Sequence, residues 1–226
     1  MKIEIWSDVV CPWCFIGKRR FDRALANLRS DPEFAASGAI DAIEINYRSY
    51  QLDPTAPLDT PTPVRDVYSR KFGGPERAEA IFQQLTAVAA EDDITFSFET
   101  AVRANTIAAH RLLWKTGVDF GFHVQSALKE AIMAAYFTHG ENIGDPQVLA
   151  RCASATWPTA PSVDEIVAFL TSDEGRAEVT IDLAEAASHG ITGVPTYLID
   201  GQWAIPGAQD SETFERVLRR VLERQQ

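Results

Sequence analysis

Cys11 and Cys14 stand three residues apart in the run SDVVCPWCFIG, residues 7–17, with Pro12 and Trp13 between them. Such a pair serves as half of a metal site, closes a structural crosslink, or exchanges electrons. A structural zinc usually takes four ligands, from two such pairs or from one pair and suitably spaced histidines. The third cysteine, Cys152, is alone, and His110, His123, His139 and His189 show no two-ligand spacing near another cysteine. No metal is therefore expected. A structural bridge would close so small a loop that its entropic gain is slight.

Redox chemistry fits the local physics better. Proline is favoured at the first helical position, so Pro12 makes Cys11 the N-cap of a helix. The unpaired N–H groups and partial positive charge of a helix N-terminus favour a thiolate. Cys11 is therefore expected to be more acidic than a free cysteine. Cys14 lies one turn further in, shielded yet within reach, as a resolving thiol must be. Trp13 either offers an apolar surface beside the attacking sulfur or packs on the helix end. Lys18 and Arg19 read as solvated.

A second signal is Val194-Pro195, at the opening of a strand pattern. Proline there marks an edge, a bulge or a cis bond. On these residues alone an ordinary trans proline is the default. A cis bond would turn the Val194 backbone towards the cysteine-bearing helix, where its N–H and C=O suit an extended substrate segment.

The elements that must position these residues follow from periodicity. KIEIW alternates as a strand, and the residues after the cysteines carry Phe21, Leu25 and Leu28 on one helical stripe. Residues 43–50, IEINYRSY, alternate again, so a right-handed β-α-β unit with parallel strands is expected. DPTAPLDTPTP holds four prolines in eleven residues and marks a linker. From about residue 62 to about 189 the pattern is helical, with ITFSF (94–98) as a short extended exception. Strand character returns at GVPTYLIDG, with a hairpin at Asp200-Gly201, and the last helix reads as capped at Ser211.

The expected fold is α/β: a mixed four-stranded sheet flanked by helices, with an inserted all-helical domain. Its expected division is 1–53 with 190–226 for the discontinuous sheet domain, 54–61 for the linker and 62–189 for the insertion. The 226 residues include 46% hydrophobic and 23% charged, with a formal net charge of -11. That acidity disfavours nucleic-acid partners, and no apolar run approaches a membrane span. The start of the sequence does not read as a signal peptide, so the chain as written is expected to be cytoplasmic.

SDVVCPWCFIGKRRF, RANTIAAHRL and GITGVPTYLIDG…PGAQ, in this order, resemble the FrnE-like branch of the DsbA-type thioredoxin-fold oxidoreductases, over essentially the whole chain. The resemblance implies a thioredoxin-like fold, Cys11 as nucleophile, Cys14 as resolving thiol and a cis Pro195 beside them. Pro12, Trp13, Val194 and Pro195 then contact substrate. Asn105 and His110 match the ANT…AH stretch and are expected to line the cleft or support it. Substrates would be protein or small-molecule disulfides and dithiols. No cofactor would be bound obligatorily, and a low-molecular-weight thiol such as glutathione, or a reductase, would recycle the pair. The same group includes 2-hydroxychromene-2-carboxylate isomerases and kappa-type glutathione transferases, which typically carry serine at the position of Cys11. A thiol-cofactor-dependent isomerase or transferase is therefore the alternative, and a binding or chaperone module a third. Some members carry a further cysteine pair; here Cys152 alone remains, on a helical pattern, as a buried inert thiol.

Overall fold

The computed structural model describes every residue except Ser37, Asp59, Thr60, Ala160, Gln225 and Gln226. The chain opens with β1 (Lys2–Ser7), α1 (Pro12–Ser30), the short α2 (Pro32–Ala35) and β2 (Glu44–Ser49). A mainly helical stretch follows: β3 (Thr62–Pro63), α3 (Val64–Phe72), α4 (Pro75–Ala90), β4 (Val102–Arg103), α5 (Ile107–Phe120), α6 (Phe122–Phe137), α7 (Pro146–Thr156), α8 (Val163–Thr171) and α9 (Arg176–Ser188). β5 (Thr196–Ile199), β6 (Trp203–Pro206) and α10 (Ser211–Glu223) close the chain.

The four long strands form one mixed sheet in the order β2-β1-β5-β6. β1 runs parallel to β2, with Ile3 opposite Ile45 and Ile5 opposite Tyr47, and antiparallel to β5. Alternation places those four side chains on one face, where Phe21, Leu25 and Leu28 of α1 and Phe214, Leu218 and Leu222 of α10 bury them. On the opposite face α9 covers Trp6 and Leu198 through Ala186. Polar contacts fix that helix. The Trp6 indole N–H donates to the Asp182 carbonyl at 3.1 Å, and Ser49 N–H donates to the Asp182 carboxylate at 2.8 Å. Arg48 lies over the Trp6 ring and pairs with Asp182 and Glu185.

A second large core lies among α3–α8, and it takes in Val9, Cys11, Cys14, Phe15 and Ile16. The first turn of α1 is thus wedged between the sheet and the helical stretch. Phe15 anchors it there, against Phe137 and Phe96 at ring distances of 6.1 and 6.4 Å.

The β5–β6 turn has positive φ at Asp200 (48°) and Gly201 (68°), with Gln202 N–H donating to Ile199 O at 3.0 Å. That is the geometry a type I′ hairpin needs. Three expectations are corrected. β5 begins at Thr196, so Val194 and Pro195 lie in the bend before the strand. ITFSF joins no ladder; the extended pair of this region is β3 with β4, through Thr62–Arg103 and Pro63–Val102. The cap of α10 is Asp210, whose carboxylate accepts from Thr213 N–H at 2.7 Å, because Ser211 already lies inside the helix. The linker expected at 54–61 includes Asp59 and Thr60, outside the described residues; its remaining residues carry neither helix nor strand.

Candidate active site

Cys11 has the extended backbone of an N-cap (φ -91°, ψ 115°), and Pro12 opens α1. Its carbonyl accepts from Cys14 N–H at 3.0 Å, which holds the two cysteines one turn apart. Both are free thiols, 3% and 2% exposed. The Cys11 S–H points at the Val194 carbonyl, 3.6 Å from it, and the Val194–Pro195 peptide bond is cis. Pro12 is buried, whereas Trp13 is 39% exposed on the outer side of the first turn. Gly17 lets α1 come this close. A side chain there would meet Tyr197 Oη at 2.8 Å and Pro195 Cγ at 3.1 Å.

Asp8 fixes the turn that delivers Cys11. Its carbonyl accepts from Cys11 N–H at 3.2 Å. Its fully buried carboxylate accepts from Leu52 N–H at 2.8 Å and from the His110 ring Nε2–H at 3.1 Å. His110 therefore acts on the cysteine turn through Asp8. Asn105 does similar work one step out: its amide donates to Ala56 O at 2.9 Å and its oxygen accepts from Ile107 N–H at 3.0 Å.

The Cys11 thiol is held well above its ordinary value, first by hydrogen bonding to the Cys14 sulfur and then by burial. On Cys14 burial pushes upward, but hydrogen bonds from Cys11 and Ser7 and the nearby Lys129 charge outweigh it, and the thiol is lowered. Among the described residues the buried Ser7 hydroxyl has no other partner, and it is free to turn to that sulfur. Anion-favouring groups therefore reach both members of the pair, the helix N-terminus at Cys11 and the Ser7 hydroxyl at Cys14. Lys18 departs from expectation, whereas Arg19 keeps its solvent exposure. Lys18 is 5% exposed and pairs with Asp22 (2.7 Å) and Glu130 (3.0 Å), while Arg19 donates to Glu130 at 2.7 Å.

Beside the cysteine turn a cavity of about 320 Å³ opens between Val10 and Leu52 on one side and Val64, Tyr68, Ala104 and Tyr136 on the other. Its charged rim is Lys71 and the Arg103–Asp53 pair, 2.6 Å apart. Burial and the proximity of Cys11 push the Tyr68 phenol up to about 12.

The family model described as the DSBA-like thioredoxin domain matches residues 2–219. The chain belongs to this family. It is similar to a probable DsbA oxidoreductase from Streptomyces coelicolor, at 32% identity and a TM-score of 0.82 over 97% of this chain and 89% of that one. It shares its fold with the cytosolic disulfide reductase DsbM from Pseudomonas aeruginosa, also solved with GSH: 15% identity, TM-score 0.67, 99% of each chain. A 2-hydroxychromene-2-carboxylate isomerase shares it too: 14% identity, TM-score 0.63, 100% of this chain and 98% of that one.

In this DSBA-like chain the structure brings Cys11, Cys14, Pro12, Val194 and Pro195 together, keeps Trp13 at the surface, and sets His110 and Asn105 behind the cysteine turn. Cys152 is half-buried on α7, and burial pushes its thiol up to about 11. Sequence reasoning missed Ser7, Asp8, Tyr68, Lys129 and Tyr136. A signal existed for Lys129: it shares a helical face with Gln125, Ile132, Met133 and Tyr136, all buried. Among the described residues no cluster of three or more His, Cys, Asp or Glu suits a metal, and no helix is long and apolar enough to cross a membrane.

Proposed function

We propose that this chain is a thiol–disulfide oxidoreductase whose working dithiol is Cys11 and Cys14. The observation that carries the reading is the placement of two free thiols in the first turn of α1, with Cys11 against the Val194 carbonyl. Cys11 gives its proton to solvent, and the helix N-terminus stabilises the anion so formed. Cys11 attacks one sulfur of a substrate disulfide, the substrate S–S bond breaks, and the leaving thiolate takes a proton from solvent. Cys14, once deprotonated, attacks the Cys11 sulfur of the mixed disulfide. The second substrate thiolate leaves, two electrons have passed to the substrate, and a Cys11–Cys14 disulfide remains. Val194 N–H has no partner among the described residues and is available to an extended substrate segment, with Pro12, Trp13 and Pro195 around it.

The same reading assigns recycling to a low-molecular-weight thiol such as glutathione or to a reductase, with no obligatory cofactor, and places the protein in the cytoplasm. The likeness to a cytosolic reductase solved with GSH supports both. It also treats 1–53 with 190–226 as the sheet domain and 62–189 as the insertion.

A second reading, a small-molecule isomerase or transferase using a bound thiol, draws on the cavity between Val10 and Tyr136 and on the near-complete burial of both sulfurs. Reduction of insulin by the wild type, Cys11→Ser and Cys14→Ser separates the two. Exchange through the dithiol requires Cys11→Ser to abolish turnover and Cys14→Ser to accumulate a mixed disulfide. Equal turnover by all three proteins would defeat it.

A further inference from the structure

The cavity beside the cysteine turn, about 320 Å³ in volume, lies at the small end of ligand pockets, which run from about 300 to 1,000 Å³. Val10, Leu52, Val64 and Ala104 make much of its wall apolar. Its polar groups divide unevenly. Asp53 is the carboxylate on the wall, and it is already taken: Arg103 donates to its two oxygens at 2.6 and 3.0 Å, and the Thr55 hydroxyl donates at 2.8 Å. Three donors are not. Among the described residues the Tyr68 and Tyr136 hydroxyls make no hydrogen bond, and the Lys71 ammonium meets no carboxylate, lying 5.5 Å from the centre of the Phe72 ring.

Tyr136 is 4% exposed, and a hydroxyl so placed is normally hydrogen-bonded. Its oxygen is not sealed in the core as that of Tyr47 is, so it opens on the cavity it lines. Burial pushes both phenols up, Tyr68 to about 12, so each has a proton to donate at neutral pH. Tyr68 and Lys71 stand one turn apart on α3, hence on one face of that helix. The nucleophile is close by: Val10 is the chain neighbour of Cys11, and Leu52 N–H donates to Asp8 in the same turn. A sulfur 3% exposed is more open to a compact molecule than to a folded protein surface.

These donors call for an anion, the apolar wall for an apolar body, and the two tyrosine rings for a flat one. Glutathione disulfide fits less well, since its ammonium and amide N–H groups need acceptors and the wall carboxylate is spent on Arg103. Resting on the dithiol reading, we propose that the substrate class is a low-molecular-weight aromatic disulfide bearing a carboxylate, with one ring in this cavity and its carboxylate on Tyr68, Tyr136 and Lys71. The Cys11 thiolate bonds to the sulfur of the seated half, the substrate S–S bond breaks, and the outer half leaves as a thiolate. Cys14 gives its proton to solvent and displaces the seated half as a second thiolate. Two electrons have passed to the substrate, and the Cys11–Cys14 disulfide remains.

The probes are dithiobis(nitrobenzoate), with a carboxylate on each ring, and dithiodipyridine, with rings and no carboxylate. Calorimetry on the full chain with all three cysteines replaced by serine measures binding without exchange. The carboxylate probe should bind about tenfold more tightly than the uncharged one. Tyr136→Phe, which keeps the ring, should weaken it about tenfold, and Lys71→Met about threefold. In single turnover, the reduced wild type should release thiolate from the carboxylate probe at a rate that saturates with its concentration, while oxidised glutathione stays linear over the same range. Equal affinity for the two probes, affinity unmoved by both substitutions, or saturation by glutathione disulfide at the lower concentration would overturn the proposal. Binding without cleavage by the reduced wild type would remove the dithiol reading and the substrate with it. Insulin turnover without binding of the carboxylate probe would remove the substrate class alone.

Discussion

Replacing Gly17 by alanine sets two effects of opposite sign against each other. In a helix interior the change normally stabilises by about 1 kcal/mol, because alanine loses less backbone entropy. At this position the added Cβ would lie 2.8 Å from Tyr197 Oη, 3.1 Å from Pro195 Cγ and 3.3 Å from Ala208 Cα. None of these yields cheaply. Tyr197 is buried with its ring between Phe21 at 5.1 Å and Phe214 at 4.7 Å. Pro195 is a rigid ring, and the third neighbour is backbone. Overpacking a well-filled site costs about 1–3 kcal/mol, so the clash should cancel or exceed the propensity gain and leave a net loss of up to about 2 kcal/mol. The strain is relieved most directly if the first turns of α1 withdraw from Pro195, which carries Cys11 away from the Val194 carbonyl. Misplacement on that scale should lower kcat/KM for insulin reduction by roughly tenfold or more. Urea unfolding followed by circular dichroism measures the first effect and steady-state kinetics the second. A Gly17→Ala protein that is more stable than the wild type by about 1 kcal/mol, with unchanged kcat/KM, would refute the claim that this glycine permits a close approach.

Asp8→Ala should destabilise the protein by about 1–3 kcal/mol in urea unfolding, since the His110 N–H loses its partner in a buried site. Leu52 N–H lies near the surface and can turn to water, and Asp8→Asn, which keeps an acceptor oxygen, should lose less. A change within experimental error for Asp8→Ala would show that the buried pair does not hold the cysteine turn. Hydrogen bonds from Arg103 keep the Asp53 carboxyl below its usual range. A depressed folded value means the contribution is fully present above the unfolded value of about 3.9. It is lost as pH falls through the lower folded value. Asp53→Asn should therefore flatten the melting temperature against pH in that acid window alone, and parallel curves for the two proteins would contradict the pairing.

The parts of this molecule that were legible in its sequence are those whose physics is local. Ile3 and Ile5, and Ile45 and Tyr47, announce their strands because alternation is a property of neighbours, and Asp200-Gly201 announces the hairpin because both residues tolerate positive φ. The N-cap position of Cys11 follows from Pro12 in the same way. A two-residue ladder such as Thr62–Pro63 with Val102–Arg103 has no period to read. The near-complete burial of both sulfurs was not legible, because the apolar wall that covers them comes from far along the chain. Lys129 approaches from α6, and Asp8 is held by His110 on α5. Nothing near Cys11 in sequence reports them, although a lysine on the face shared by Gln125, Ile132 and Tyr136 was a visible contradiction of pattern.

Burial also bears on how the site works. A buried sulfur and a sulfur at a helix N-terminus make opposite demands: burial favours the thiol, the helix terminus favours the anion. At Cys11 both act on one sulfur, because the N-cap of α1 is packed into the core of the helical stretch. On this argument that stretch does more than cover the sheet: without it the first turn of α1 would keep its helix terminus and lose its apolar wall.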